Sequence, residues 1–402
     1  MNRIFGRGPN SQHNACVGNN GQPDAIDYAK GYSTAAKMLI DTYLENSTSI
    51  FQDQLVYPIC FNMRHSIEII LKNEIYRSIE INRIKGIEVH FNNNKSHDIN
   101  IIWEFLFTHL MMLDRQYKPI LNTLKPLINE IGSVDPTGQT FRYPENVDGH
   151  RHLVKVSLIN IERLKINFEI IEKLLTRLVR LSDTVFSDYK TNTYTRNLSR
   201  NDIRDISTRL PPKYSWPSTQ LTEAKDEIIR NYKISNTEYK KCLKIIQSHH
   251  EFSANIGLEL ELDSLSENDI NQLCKTWRET HGNTSPQSRN RIITTQELRK
   301  EIDAGSNRGE VFEAFKETLT IDKAVEIESL FYFGYELDYS EKYLEKVERL
   351  FSEYTIRASE EHDLLEIAIS EILDKVNALE NIKKSLCFLN QTKLANTINT
   401  TK

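Results

Sequence analysis

Glycine and proline are scarce in this chain, 14 and 11 in 402 residues. Both interrupt regular backbone, so their scarcity argues against a turn-rich β-sandwich and favours long helices. No apolar run approaches the roughly 18 residues that a bilayer span requires. The first 24 residues are polar, rich in Asn and Gly, and lack the apolar stretch of a secretory signal. A cytoplasmic protein with no membrane partner is therefore expected. The five cysteines (Cys16, Cys60, Cys242, Cys274, Cys387) are odd in number and scattered, with no Cys-x-x-Cys pair. That pattern excludes a disulfide framework and a structural zinc site, and suits a reducing compartment. His249 and His250 are neighbours that would point about 100° apart on a helix, so with Cys242 and His281 they do not read as a metal centre. A Gly-rich phosphate loop and a Gly-x-Ser-x-Gly elbow are also missing, and no cofactor is expected.

What remains is a globular composition, 39% apolar and 27% charged, in a chain long enough for two or three domains. The patterns predict a mainly α-helical protein: a flexible tail over 1–24, a helical bundle over 25–186, a middle helical region over 187–280 and an acidic helical region over 292–402. Ser187 to Arg200 reads as a linker, and Thr280 to Arg291 as a second. Charge is segregated. Tyr189 to His250 holds 12 Lys and Arg against 6 Asp and Glu, whereas Glu301 to Glu380 holds 8 against 21. Such asymmetry marks either a polyanion-binding face beside an acidic region or two ordinary solvated surfaces.

Within the bundle, Ala25 to Leu44 reads as a first helix. Asp53 to Arg77 follows, with Ile59, Met63, Ile67, Ile70 and Leu71 on one face. Arg83 to Asn94 reads as a short hairpin or an extended loop. Ser96 or Asp98 can cap a helix over Ile99 to Leu113, and another spans about Tyr117 to Ile131. The longest clear periodicity is Ile161, Leu164, Phe168, Ile171, Leu175 and Leu178. Beyond the breaker Leu210-Pro-Pro-Lys-Tyr-Ser-Trp-Pro217, the C-terminal region shows Tyr343, Val347, Leu350 and Tyr354, then Leu364, Ile367, Ile372, Val376 and Leu379. Phe331-Tyr-Phe-Gly-Tyr335 reads as core or a partner surface.

The second helix carries the most informative polar group. Its apolar residues fall within about 80° of one another, and Arg64, Glu68, Lys72 and His65 occupy the next 100° or so. Arg64 and Glu68, four apart, can pair, and His65 has the unperturbed pKa suited to proton transfer near neutrality. A solvated face with an incidental ion pair would look the same. In Phe141-Arg142-Tyr143-Pro144, a guanidinium between two rings in a turn suits phosphate, which Arg binds bidentately, although the segment could equally pin the loop to the bundle.

Tyr57-Pro-Ile-Cys-Phe-Asn-Met-Arg-His-Ser-Ile-Glu-Ile-Ile-Leu-Lys72, Ser96-His-Asp98 with Trp103, and Phe141-Arg-Tyr-Pro144 together resemble blocks of HEPN-like bacterial proteins. The resemblance covers about residues 25–185. It implies a helical bundle, often a homodimer, and an association with phage defence or toxin-type stress responses. Many such proteins are metal-independent ribonucleases using an Arg and a His with four to six residues between them, the Arg holding phosphate and the His acting as acid or base. That spacing occurs at Arg7…His13, Arg83…His90 and Arg357…His362, against about two matches expected by chance. Of these only Arg357 and His362 fall on a plausible helix, beside two glutamates that would repel RNA. The expected catalytic set is thus Arg64, His65 and Glu68, with Arg142, Tyr143 and Lys72 binding RNA or a nucleotide and Arg357 with His362 as an alternative pair.

A rival reading lies in the middle region. Glu223 to Tyr232, a turn at Lys233-Ile-Ser235, and Asn236 to Ile246 outline a helix-turn-helix within 223–246. Asn236, Thr237, Lys240, Lys241 and Lys244 would then meet a DNA groove and its phosphates. This reading makes the protein a non-enzymatic adaptor that binds DNA or a protein partner through its middle and C-terminal helices.

Overall fold

The computed structural model describes residues 4–45, 52–92, 96–146, 148–262, 264–281, 310–357 and 364–400. Among them are sixteen α-helices and no strand, so the fold is all-α. The only extended pairing among these residues is an isolated antiparallel bridge between Glu145 and Arg151. The chain divides into two compact units at Lys190/Thr191. None of the described helices is long and apolar enough to cross a membrane.

The first unit is a five-helix bundle: α1 (Ala25–Glu45), α2 (Gln52–Ile84), α3 (Ile99–Leu113), α4 (Lys118–Val134) and α5 (Ile161–Lys190). Helix α2 is central and packs on α1, α3 and α5, while α4 packs on α3 and α5. Buried positions on α1 are Ala29, Ser33, Ala36 and Ile40, at helical spacing and mostly small. Small side chains let the α1 backbone lie close to α2. Asp98 caps α3 by accepting from the backbone of Asn100 and Ile101, and Ser96 Oγ accepts from the Asp98 N–H. The α5 stripe is buried as its periodicity predicts, apart from a half-buried Leu164. Helix α2 continues seven residues past Arg77, to Ile84. Of the hairpin or extended loop expected from Arg83, the loop is seen, starting after Ile84 within the described residues. Helix α5 likewise runs through Lys190, four residues beyond the expected bundle end, and absorbs the first part of the expected linker.

The second unit begins with α6 (Arg200–Arg209), α7 (Thr219–Tyr232), α8 (Asn236–Gln247) and α9 (His250–Asn255). These enclose a core of Ile203, Ile206, Ile228, Tyr239, Cys242, Ile246 and Phe252. The expected helix-turn-helix is present as a shape: Lys233 ends α7 in the left-handed region (φ 52°), and Ser235 caps α8 through the Glu238 N–H. Helices α10 (Glu267–His281), α11 (Glu310–Glu317), α12 (Ile321–Phe333), α13 (Ser340–Arg357), α14 (Leu364–Leu373), α15 (Ala378–Phe388) and α16 (Thr392–Thr400) surround a second core. Helix α12 is its axis, packing on α13, α14 and α15. Phe331 and Phe333 point into that core, while Tyr332 and Tyr335 are exposed. Ile367 and Val376, expected on the apolar face, are both exposed; Val376 lies where the chain breaks between α14 and α15, so the stripe does not run through. The tail before α1 contains two single turns, Ser11–His13 and Gly18–Asn20, with no buried residue. Most of the expected second linker, and His362, lie outside the described residues.

Candidate functional site

Arg64 and Glu68 lie on the part of α2 that faces the turns preceding α3 and following α4. Arg64 is only 4% exposed. Its Nε donates to the Asp135 carbonyl at 3.2 Å, one Nη donates to the Pro136 carbonyl at 2.8 Å, and further bonds reach the His97 carbonyl and the Glu68 carboxylate. The guanidinium therefore ties three segments together, and four of its five N–H groups are engaged. The neighbouring turn is shaped to fit it. Gly138 has φ +75°, and a Cβ there would sit 3.2 Å from Arg64 Nη1. The expectation that Arg64 offers a cation to phosphate is thus corrected: its donors are already used, and its role is that of an internal clamp.

Glu68, also buried, accepts from three side chains. Oε2 takes Arg64, while Oε1 takes Lys72 Nζ at 2.7 Å and His97 Nδ1 at 2.8 Å. Burial alone would raise this carboxyl, but the Lys72 bond, the Arg64 charge and the bonds from His97 and Arg64 outweigh it and hold it below the ordinary range. The carboxylate thus stays ionised and orients an imidazole, as in carboxylate–histidine pairs that set a tautomer. His97 itself is 68% exposed. Its Nδ1 faces Glu68, which leaves Nε2 as the outward nitrogen.

His65 is half-buried on the same stretch of α2, edge-on to Tyr32 (4.5 Å between ring centres) and stacked on Phe61 (5.5 Å). Burial lowers its pKa, the Glu68 charge opposes this, and the charges of Arg64, His97 and Lys72 lower it further. The net effect keeps the ring neutral at neutral pH. On its other side Phe61 meets Arg142, whose guanidinium carbon lies 5.5 Å from the Phe61 ring centre and 5.2 Å from that of Tyr143. Arg142 is exposed, and among the described residues it has no carboxylate partner; one Nη donates to the Tyr143 hydroxyl at 3.3 Å. The expected pair of flanking rings is therefore half right. Phe61, from α2, takes the place of Phe141, which turns into the interior.

The three sequence blocks converge. Arg142 meets Phe61, Phe61 stacks on His65, and Lys72 and His97 both bond buried Glu68. His97 was quoted in its block, yet nothing local singles out a histidine before a capping Asp; only the contact with Glu68, 29 positions away, does so. The alternative pair is not formed among the described residues: Arg357 is exposed and pairs with Glu353, and His362 is not described. On α8, Asn236, Thr237, Lys240, Lys241 and Lys244 are all exposed. Glu238 between them instead holds the preceding loop, accepting from Thr195 Oγ1 and from the backbone and side chain of Asn197.

The second unit contains a separate charged cluster. Arg200 donates through Nε and Nη2 to the two Glu341 oxygens at 3.0 Å each, and also to Glu251. His249 Nε2 lies 2.9 Å from Glu341 Oε1, and the Arg200 and His249 groups flank the Phe252 ring. His249, Glu251 and Glu341 are close enough to share a cation. The guanidinium already occupies that position and neutralises the carboxylates, so the cluster reads as a clamp between α6, α9 and α13. Of the His249, His250, Cys242 and His281 set, only His249 belongs to this cluster; Cys242 lies in the core, where burial first and nearby carboxylates second push its thiol up to about 12.

No protein-family model, curated protein or solved structure matches the chain.

Proposed function

We propose that the first unit engages RNA or a nucleotide through the Arg142–Phe61–His65–Lys72–His97 patch, as a HEPN-like bundle of the phage-defence or toxin type. The observation that supports it is the Glu68–His97 hydrogen bond beneath an exposed imidazole, together with a guanidinium packed on Phe61 of the same helix and on Tyr143. Exposed Arg142, with the partly covered Lys72 ammonium on Glu68, answers phosphate charge, and the Phe61 and Tyr143 rings offer faces for bases. In this reading the roles shift by one step from those the sequence suggests. Arg64 and Glu68 position, Arg142 and Lys72 bind, and the two histidines do the proton work. Neutral His65 takes the proton of a ribose 2′-hydroxyl, whose oxygen attacks the adjacent phosphorus. His97, protonated on both ring nitrogens with Nδ1–H on Glu68, gives its Nε2 proton to the departing 5′-oxygen, leaving a 2′,3′-cyclic phosphate and a 5′-hydroxyl.

The test is binding and cleavage of a fluorescent single-stranded RNA at low salt in EDTA. Arg142→Ala should weaken binding by about tenfold, and His97→Ala should remove cleavage while sparing binding. Absence of RNA or mononucleotide binding by the intact protein would end this reading.

A second reading is favoured by the helix-turn-helix shape of α7 and α8 with its outward lysines. There the second unit docks on DNA, as a non-enzymatic adaptor. Neutralising Lys240, Lys241 and Lys244 should then abolish salt-sensitive duplex binding, and an absence of duplex binding at low salt would remove this reading.

A further inference from the structure

Helix α5 packs on α1, α2 and α4, and its remaining side carries a second pattern. Arg163, Ile166, Ile170, Lys173, Arg177 and Arg180 alternate steps of three and four, which places them within about 100° of arc along roughly 26 Å of helix. All six are exposed, Ile166 by 60% and Ile170 by 43%. The charge of this face is unbalanced. On the flank of α5 toward α1 and α2, Glu172 takes Lys37 at 2.7 Å, Asp183 takes Arg77 at 2.8 Å, and Lys165 is held by Asp41 at 2.7 Å. Arg163, Lys173, Arg177 and Arg180 make no ion pair among the described residues. Only Glu162 in the first turn and half-buried Glu169 at the edge bring the opposite sign to this face. Leu158, 90% exposed and lining the same cavity as Arg163, adds a third aliphatic side chain at its start.

We propose that this outer face of α5 docks the first unit on an anionic phospholipid surface. Two features together select that partner. The four cations answer lipid phosphates and carboxylates, and Leu158, Ile166 and Ile170 enter the boundary between headgroups and acyl chains. A nucleic acid would meet the same cations through its phosphates, but it would leave the aliphatic side chains in water. The arrangement also suits a soft, flat partner, because the face is the convex side of a helix. None of the described helices can span a bilayer, and lying on one is a separate requirement that needs only an apolar strip flanked by cations. The expectation of no membrane partner, drawn from the want of a span, is thereby narrowed to spanning. With few aliphatic side chains and no deep insertion, docking is reversible and weakens as salt screens the cations. The face shares no residue with the RNA-engaging patch, so neither reading depends on the other.

The experiment is flotation of the full chain with phosphatidylcholine vesicles, either plain or containing about one-third phosphatidylserine, at low salt without RNA. The protein should float with the phosphatidylserine vesicles only. Changing Lys173, Arg177 and Arg180 together to Gln should lower the partition coefficient on the order of a hundredfold, as expected for three cations near an anionic surface. Changing Ile166 and Ile170 together to Ser leaves the charge untouched and should lower it roughly tenfold. All five side chains are exposed, and circular dichroism checks that both variants keep the fold. Changing Lys240, Lys241 and Lys244 to Gln should leave flotation unaltered. No flotation of the unaltered protein would overturn the proposal. So would an unchanged partition in either α5 variant; if only the isoleucine variant were unchanged, the face would be a plain polyanion site. Loss of single-stranded RNA binding in the α5 cation variant, with no vesicle binding by the unaltered protein, would assign the face to nucleic acid instead.

Discussion

Replacing Arg64 by Ala separates a clamp from a ligand-binding cation. The substitution strips partners from Glu68 Oε2 and from the carbonyls of His97, Asp135 and Pro136, all at the junction of α2 with two turns. Breaking a buried ion pair from one side typically costs about 3–5 kcal/mol, because the orphaned charge remains. Lys72 and His97 still hold Glu68 Oε1, which places the expected loss toward the lower end, about 3 kcal/mol. For a unit of this size that corresponds to a fall in melting temperature of roughly 6–12 °C. Two units can melt separately, so calorimetry should be joined to amide exchange resolved by mass spectrometry across α2 and α3. Arg64→Lys should recover little, since one ammonium cannot reproduce the planar fork that reaches three carbonyls and a carboxylate. Loss of less than about 1 kcal/mol in Arg64→Ala, with RNA binding abolished, would refute the clamp and restore Arg64 as a ligand contact.

Three further outcomes follow from the packing. Gly334→Ala would put a Cβ 2.6 Å from the Asn381 carbonyl oxygen and 2.8 Å from its Cα, backbone that cannot swing away, so a loss of about 1–3 kcal/mol is expected in denaturant melts. Phe252, fully buried between Arg200 and His249, should cost about 3–5 kcal/mol when cut to Ala, read by thermal unfolding of the second unit. Burial would raise the Glu341 carboxyl, but bonds and charges from His249 and Arg200 outweigh it and hold it far below the ordinary 4.5. The stability it contributes is therefore full above about pH 4.5 and is lost as acid carries the solution toward its folded value. Acid unfolding of Glu341→Gln should show a shallower pH slope over that window; an unchanged slope would remove Glu341 as the responsible group.

The site was partly legible beforehand. Helical spacing put Arg64, His65, Glu68 and Lys72 side by side, and the Arg64–Glu68 pair forms as the four-residue step requires. Missed was the environment of that pair. A polar stripe on a helix looks solvated in sequence, and α2 differs because it is central, so turns from two other connections close over its second face. His97 carried no local signal of function, since its role exists only through Glu68.

Sequence periodicity, capping residues and the shortage of Gly and Pro by themselves determined an all-helical chain, the positions of most helices, and a cap for α3 at Ser96 or Asp98. These are local matters of backbone hydrogen bonding and side-chain spacing, and they survive in any tertiary context. Tertiary structure alone decided that Arg64 is spent on carbonyls rather than open to a ligand, that Phe61 rather than Phe141 backs Arg142, and that Asp135 is buried with its Oδ2 3.8 Å from Arg64 Nε. Each depends on which distant turn lands on which helix face, and no spacing along the chain encodes that distance.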